Sequence, residues 1–439
     1  MDKIETGKFV SRWKWIIIGA SLWWILGFNL FIYHAAAFLF FCQLMQRLGQ
    51  KNSGLYVPST AVLLFFVAAI YGVSIAIHSP ASQTSRIVAA LYNLSFWLMG
   101  ALLVVVFSNA FRMASMEDVF SAFRSLGFQI AVLTLIVFVF WLKRTDQLEL
   151  QTPLFGLSKF LGGTNLVKDS LIIRPLTFDW FASSSRPRLN ILAPYPTASA
   201  GLIMLALFFL FTEGILKKGT QSPLWLALMG ANLLALGMTL SRMSMLALSA
   251  SLLFVWFVGR KNLFIWVVAA VSLFLVLFPW LSQFTEWIMG LRGGSTSTRM
   301  DLYRYTIDQL NGSDWILGVG MKPREDIFSI PIGSHSAYDS LLYKSGIGGL
   351  GVFIVFQLVL FLRWFNIREE SRSRRHYFLF WRCLGFVLIS MGLWVITEDI
   401  DAPQALSFLY FSSIGLFEGF RKELLLERTR KSARKENNT

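Results

Sequence analysis

Charged residues are scarce in this chain. Asp, Glu, Lys and Arg make up 15% of its 439 residues, whereas soluble domains average about a quarter. Hydrophobic residues reach 55%, including 41 Phe and 16 Trp. No soluble domain of ordinary size divides the apolar runs, so we expect a single polytopic membrane domain over residues 1–439.

Cysteine is almost absent, and so are the motifs that hold common cofactors. The two cysteines, Cys42 and Cys383, lie in apolar runs, where a thiol is more often a packing residue than part of a disulfide or metal site. The sequence contains no zinc-ligand spacing, Walker loop or dinucleotide fingerprint. We therefore expect neither a metal nor an organic cofactor.

Acidic residues are too few to balance the basic ones, and the formal net charge is +15. In a soluble chain this excess would point to nucleic acid. In a chain this apolar, basic loops beside anionic lipid are the better explanation. We expect membrane lipid, and no nucleic acid, as a partner of these residues.

Long apolar runs recur along the whole chain, and most of them reach the length that crosses a hydrocarbon core. The predicted spans lie at residues 15–31, 32–47, 58–78, 91–108, 122–142, 197–215, 223–239, 243–258, 262–281, 345–364, 377–397 and 404–420. An alternative for the first two is one long tilted helix over 15–47. The predicted fold class is an all-α integral membrane protein with about twelve transmembrane helices.

The distribution of basic residues predicts the orientation of these spans. With two spans in 15–47, most of the 40 lysines and arginines fall on the side of both termini, including the basic tail at 421–439. The short loops on the other side hold only Arg86 and Arg242. The positive-inside rule then places both termini in the cytoplasm. The basic N-terminus resembles a signal peptide without a cleavage site, so we expect it to be retained as the first span.

Two long segments, 143–196 and 282–344, fall on the outer side. Long loops are commonly functional, and irregular backbone cannot face lipid without hydrogen-bond partners. We expect both segments to lie on the outer surface or to line a cavity there. The mixed apolar and polar stretch Leu148–Phe160 could form an interfacial helix.

Arginine and histidine in these outer regions are the candidate functional residues. Arg186 and Arg188 precede Pro194-Tyr195-Pro196, Ser241-Arg242 opens a span, and Arg299 precedes Leu302-Tyr303. Of four histidines, only His335 lies in a long outer segment, within Gly333-Ser334-His335-Ser336-Ala337-Tyr338. Taken singly, each arginine is more often a basic loop residue or a snorkelling anchor, and a lone loop histidine is more often inert than catalytic.

Taken in order, these motifs resemble the O-antigen ligase and Wzy-type polymerase family. Arg188 precedes a Pro-terminated loop; Ser241-Arg242, Arg299 with Leu302-Tyr303, Gly318-Val319-Gly320, Ser334-His335 and Gly346 follow. The resemblance covers about residues 180 to 365. Three positions differ from the family pattern, since Ser336 and Thr197 replace Asn and Ile191 replaces Gly. The last two leave open whether Arg188 or Arg186 is the functional arginine.

The resemblance implies a GT-C-like fold and a metal-independent, inverting transfer of a glycan from undecaprenyl diphosphate to a sugar hydroxyl. It assigns Arg188, Arg242 and Arg299 to the diphosphate. Arginine suits that role because its rigid fork of donors stays charged and can replace a divalent ion. The acids Glu398, Asp399 and Asp401, on a short outer loop, are the weaker alternative as metal ligands.

His335 is the predicted catalytic base, because an ordinary histidine is mostly neutral at pH 7 and can accept the proton of the attacking hydroxyl. Asp339, four residues later, would share a helix face with His335 and could orient its ring, although a helix-surface acid is at least as common. Ser334, Tyr338 and Arg186 are further candidates for support.

The family resemblance leaves two activities open. A polymerase joining lipid-linked repeats of a surface polysaccharide is favoured, and a ligase moving the finished glycan to lipid A-core or another acceptor is the alternative. Both would act at the outer face of the bacterial inner membrane, and a chain-length regulator is an expected partner of a polymerase. A transporter is disfavoured, because the spans lack midplane ionisable residues and no two-fold hydropathy repeat is found.

Overall fold

A computed structural model describes residues 3–50, 54–82, 84–143, 148–159, 170–178, 187–217, 222–259, 293–322 and 332–436. Six of its helices are long and apolar enough to cross a membrane, which supports the predicted all-α membrane protein. These six are Ser59–His78, Thr84–Ala110, Met116–Leu142, Pro196–Lys217, Ala337–Asn366 and Arg375–Trp394.

The described part of the chain is mainly helical. In chain order its helices are α1 (Lys3–Ile18), α2 (Ala20–Leu26), α3 (Ile32–Gln50), α4 (Ser59–His78), α5 (Thr84–Ala110), α6 (Met116–Leu142), α7 (Pro196–Lys217), α8 (Pro223–Met238), α9 (Arg242–Val258), α10 (Gly293–Asp308), α11 (Asp314–Leu317), α12 (Ala337–Asn366), α13 (Arg368–Ser371), α14 (Arg375–Trp394) and α15 (Gln404–Glu436).

The predicted spans differ in how far these helices support them. The short apolar helices α8 and α9 coincide with the predictions at 223–239 and 243–258, and α15 contains 404–420. The prediction at 262–281 lies outside the described residues. Residues 15–47 do not form one long helix, because α2 ends at Gly27 in the left-handed conformation (φ 84) and a 3₁₀ turn precedes α3. Glycine tolerates this backbone because it has no Cβ.

Helix α15 lies at the centre of the bundle and packs most extensively against α5. Residues 404–420 are buried almost throughout, as expected for a helix enclosed by other helices. A Cβ on Gly415 would lie 2.8 Å from the carbonyl oxygen of Leu103 in α5. The missing side chain therefore lets the two backbones approach closely, a common device in membrane helices.

The described residues of the first long segment contain two short antiparallel strand pairs and no interfacial α-helix. Strands β1 (Leu150–Gln151) and β2 (Ile172–Ile173) pair antiparallel, as do β3 (Leu176–Thr177) and β4 (Arg188–Leu189). Within the stretch Leu148–Phe160, only a 3₁₀ helix (Pro153–Lys159) follows β1. The interfacial-helix expectation is therefore wrong for the described residues, because pairing with β2 satisfies the β1 backbone and Pro153 starts a separate turn.

Helix α12 breaks at Gly346, and the break supports the region of the candidate site. Gly346 has φ 63, so the carbonyls of Tyr343 and Lys344 are released from the helical pattern. They accept hydrogen bonds from the amides of Val319 (2.7 Å) and Gly320 (3.1 Å). The Gly-Val-Gly motif is thus bound, backbone to backbone, to the interruption of α12.

Candidate active site

Arg188 is fixed by its strand and by the end of α8. Its Nε donates a 2.9 Å hydrogen bond to the carbonyl of Thr239, the residue that follows α8. Its Nη2 is buried and has no hydrogen-bond partner within the described structure. Burial lowers the pKa of Arg188 to about 10; the nearby charge of Glu398 opposes this shift, and those of Arg299 and Arg242 add to it. Arg188 therefore shares one electrostatic environment with all three residues.

Arg242 is the first residue of α9, and a tight turn connects it to Thr239, whose carbonyl binds Arg188. In this turn Leu240 adopts the left-handed region (φ 51), and the Thr239 hydroxyl accepts the Ser241 amide at 3.3 Å. The Ser241 and Ser244 hydroxyls are 2.9 Å apart, and both serines are buried. Ser241 thus helps to shape the turn, and the turn places Arg242 at the start of α9.

Arg299, in α10, binds a buried carboxylate whose charge also acts on Arg188. Its Nη2 donates a 3.1 Å hydrogen bond to Oε1 of Glu398, whose side chain is only 4% exposed. Glu398 lies between α14 and α15, 99 residues away in sequence. The structure therefore brings Arg188, Arg242 and Arg299 close enough for their charges to act on one another, and we call these three residues the arginine cluster.

His335 lies next to the arginine cluster, in strained backbone. Its φ is 64, a conformation that costs a residue with a side chain about 1–3 kcal/mol and persists only where the surrounding structure holds it. Tyr303 contributes to holding it, because its hydroxyl donates a 2.6 Å hydrogen bond to the His335 carbonyl. Burial raises the pKa of Tyr303 to about 12, so this phenol remains a donor at neutral pH.

The surroundings of His335 favour its neutral form. Burial is the main influence and lowers its pKa from the ordinary value of 6.5; Arg299 and Lys322 act in the same direction. Glu398 and Asp399 oppose the shift without cancelling it. At neutral pH the imidazole is therefore available to accept a proton.

The helical register predicted for His335 and Asp339 is wrong, because His335 precedes the helix. Helix α12 begins at Ala337, and the Ser336 hydroxyl caps it by accepting the Asp339 amide at 3.3 Å. The Asp339 carboxylate lies near Thr306 of α10, and its Oδ2 has no partner in the described structure. Asp339 thus faces α10 from the first turn of α12.

The other supporting candidates occupy different surroundings. Ser334 accepts a 3.3 Å hydrogen bond from Nζ of Lys322 and so belongs to the polar site. Tyr338 packs edge-on against Phe353, with ring centroids 5.6 Å apart, and contributes to the apolar core. Arg186 lies outside the described residues.

An acidic loop, Glu398–Asp401, completes the site. Glu398 binds Arg299, Asp399 binds Lys322 at 2.8 Å, and Asp401 is bound to another lysine. Each carboxylate is thus paired with a different cation, and the described residues contain no group of three ligands suited to a metal.

Sequence reasoning missed the pairing of this loop and did not single out Lys322. The available signal was that three acids occupy one short loop next to outer segments rich in arginine. That signal favours charge pairing at least as much as a metal site, because carboxylates near arginines form charge-assisted hydrogen bonds.

Comparison with known families agrees with the motifs. The family model described as O-antigen ligase matches residues 225–354, which include Arg242, Arg299 and His335. No similar protein was found among curated proteins. Arg188 and Glu398 lie outside the matched residues and join the site only through the fold. The predicted resemblance is confirmed: over residues 225–354, which carry His335, the chain is similar to the O-antigen ligase family.

Proposed function

We propose that this protein transfers a glycan from undecaprenyl diphosphate to a sugar hydroxyl at the outer face of the cytoplasmic membrane. The family match supports a glycosyltransferase of ligase or polymerase type. The observation that carries the finer proposal is the arginine cluster, with Glu398 bonded to Arg299, beside a histidine whose neutral form is favoured. Three separate segments of the chain supply these cations.

The charge of the site suits a diphosphate. Among the described residues, the arginine cluster and Lys322 supply four positive charges, and Glu398 and Asp399 supply two negative ones. Cations concentrated in this way attract an anion. Arginine binds phosphate oxygens in pairs and remains charged at any working pH, so the cluster supplies the neutralisation that a divalent ion gives in many glycosyltransferases.

The proposed reaction is a single displacement that inverts the anomeric carbon. The acceptor oxygen forms a bond to this carbon, and the bond from the carbon to the diphosphate oxygen breaks. The hydroxyl proton passes to the imidazole of His335. The departing undecaprenyl diphosphate keeps the bonding electrons, and the arginine cluster stabilises its charge.

Replacing the histidine tests this mechanism. Because general-base catalysis is worth roughly 10²–10⁴-fold, His335→Ala should slow transfer by that factor while donor binding survives. His376→Ala is the matched control, since His376 lies near the start of α14 and the site lies beyond its end. A folded His335→Ala protein that binds donor and transfers at nearly the wild-type rate would exclude the base role.

The acceptor distinguishes the two family activities. We propose a polymerase, which uses a lipid-linked repeat as both donor and acceptor, with a chain-length regulator as a further partner. Purified protein given only lipid-linked repeat should then form longer chains. Product formation only after lipid A-core is added would instead establish the ligase.

The proposed architecture is a GT-C-like membrane domain over residues 1–439 with twelve spans. The segments 143–196 and 282–344 lie outside, and both termini and the basic tail 421–439 lie inside. The exposed position Ser313 allows a labelling test. In a cysteine-free background, Ser313→Cys should react with an impermeant thiol reagent on intact cells, and Thr429→Cys only after permeabilisation. The reverse pattern would contradict this topology.

A further inference from the structure

Lys344 and Asp401 form a buried ion pair that the proposed reaction does not use. The Lys344 side chain is 0% exposed and that of Asp401 is 4% exposed. Nζ lies 2.9 and 2.8 Å from the two carboxylate oxygens. Trp97 donates its indole N–H to the same carboxylate at 3.1 Å, and Nζ lies 5.7 Å from the centre of the Tyr71 ring.

Such a pair is a poor device for stability alone. Desolvation of two buried charges often cancels their attraction, so apolar residues of similar size frequently serve as well or better. Ionisable residues inside membrane bundles are therefore functional candidates by default. The position of this pair in the fold indicates what it does.

Lys344 lies at the break of α12, where its backbone packs against the Gly-Val-Gly motif. Its carbonyl accepts the Gly320 amide at 3.1 Å, and a Cβ on Gly318 would lie 2.4 Å from its carbonyl carbon. Two residues after Gly320, Lys322 reaches Asp399. The segment that presents Lys322 is thus packed directly on Lys344.

Asp401 belongs to the acidic loop. It follows Asp399 by two residues and Glu398 by three, so fixing Asp401 restricts where both carboxylates can lie. The loop is also held by Tyr195, whose hydroxyl donates to the Asp399 carbonyl at 3.4 Å. The Lys344–Asp401 pair therefore connects the acidic loop to the α12 break, on which the segment carrying Lys322 packs.

We propose that Lys344 and Asp401 are a positioning pair: they lock the acidic loop to the α12 break, so that Glu398 and Asp399 meet Arg299 and Lys322 in register. The pair touches neither substrate nor the reacting atoms. It acts through Glu398 on the arginine cluster and through both carboxylates on the surroundings of His335. This inference rests on the proposed function.

The test replaces the pair without leaving a buried charge. Lys344→Met/Asp401→Asn should fold and lower kcat by about 10-fold or more, the size expected when a catalytic constellation is displaced by a fraction of an ångström. The matched control is Arg363→Met/Glu418→Gln, since Glu418 is 0% exposed and bonds Arg363 at the opposite end of α12. The control should change the melting temperature and leave kcat unchanged.

A second measurement separates positioning from general stability. Because the pair acts through Glu398, its effect on kcat should be smaller in a Glu398→Gln background, whereas independent structural effects combine additively. If the double variant does not fold, Trp97→Phe removes the indole N–H that binds Asp401, together with part of the ring, and should lower kcat in the same direction. An unchanged kcat in the folded variants, or additivity with Glu398→Gln, would overturn the positioning role.

The outcomes also separate this inference from the function on which it rests. Suppose that the wild-type protein transfers glycan and that His335→Ala abolishes the transfer. If the Lys344 and Asp401 variants then keep the wild-type rate, the positioning role alone is refuted. Wild-type protein that transfers no glycan, and gains no thermal protection from pyrophosphate, refutes the proposed function and this inference with it.

Discussion

Replacing Glu398 by glutamine should weaken the resting protein and strengthen its binding of a diphosphate. Glu398 is the carboxylate that Arg299 binds, and its charge also acts on Arg188. Glutamine keeps the size and one acceptor oxygen but removes the negative charge. Arg299 would then lose its charged partner.

Two free-energy changes can be estimated, one for folding of the unliganded protein and one for binding of the diphosphate. A hydrogen bond to a charged group contributes roughly 1.5–3 kcal/mol and a neutral one about 1 kcal/mol, so the unliganded variant should lose about 0.5–2 kcal/mol. Two like charges about 8 Å apart repel by roughly 2 kcal/mol at an effective dielectric constant of 20. Removing the Glu398 charge should therefore tighten binding of a diphosphate by about 10-fold or more.

Thermal unfolding of the purified protein in detergent measures both effects, with inorganic pyrophosphate as the probe. The variant should melt below wild type without pyrophosphate and gain more from a given concentration of it, because binding stabilises in proportion to ln(1 + [L]/Kd). Glu213→Gln is the control, since this buried glutamate pairs with Lys217 and Arg124 away from the site. Equal or smaller pyrophosphate protection in Glu398→Gln would refute the reasoning.

Three further predictions concern the cluster, the base and the helix break. Lysine at any position of the arginine cluster should raise the donor KM, because lysine lacks the paired donors; unchanged kinetics in all three variants would contradict this. Activity should fall as His335 gains a proton, and because its pKa is lowered, the acid limb of the rate profile should have its midpoint below about 6.5. Gly346→Ala should cost at least about 2 kcal/mol of stability, because the φ is positive and the Cβ would lie 2.2 Å from the Ile316 carbonyl oxygen. Gly351→Ala, with open space around it in the same helix, should be neutral or stabilising.

The spans were the easiest part of the fold to predict, because an apolar run of the right length has few alternatives to a membrane helix. The ends of α4 and α7 fall within two residues of the predicted limits. The break after α2 was less visible, since Gly27 lies inside an apolar run and its left-handed conformation depends on what packs around it. Thr152 and Leu171 from the first long segment do so.

The relation between His335 and Asp339 was mispredicted although a local signal was present. Ser336 and Asp339 have the spacing of a capping box, which places the helix start after the histidine. The prediction therefore applied helical spacing to His335 and Asp339, although only Asp339 lies in the helix. The Glu398–Arg299 bond had no comparable signal, because its partners are 99 residues apart and no local pattern connects them.

The acidic loop explains how a site built from like charges can fold before its substrate arrives. Three guanidinium groups with no counter-charge would repel one another in a partly buried place, where such repulsion is poorly screened. Full neutralisation by three carboxylates would remove the attraction for an anionic ligand. Glu398 bonds Arg299, an intermediate arrangement that limits repulsion at rest and would leave positive charge for the proposed leaving group. The same carboxylate keeps the pKa of His335 from falling further, so in the proposed mechanism its position affects the binding of the donor and the strength of the base together.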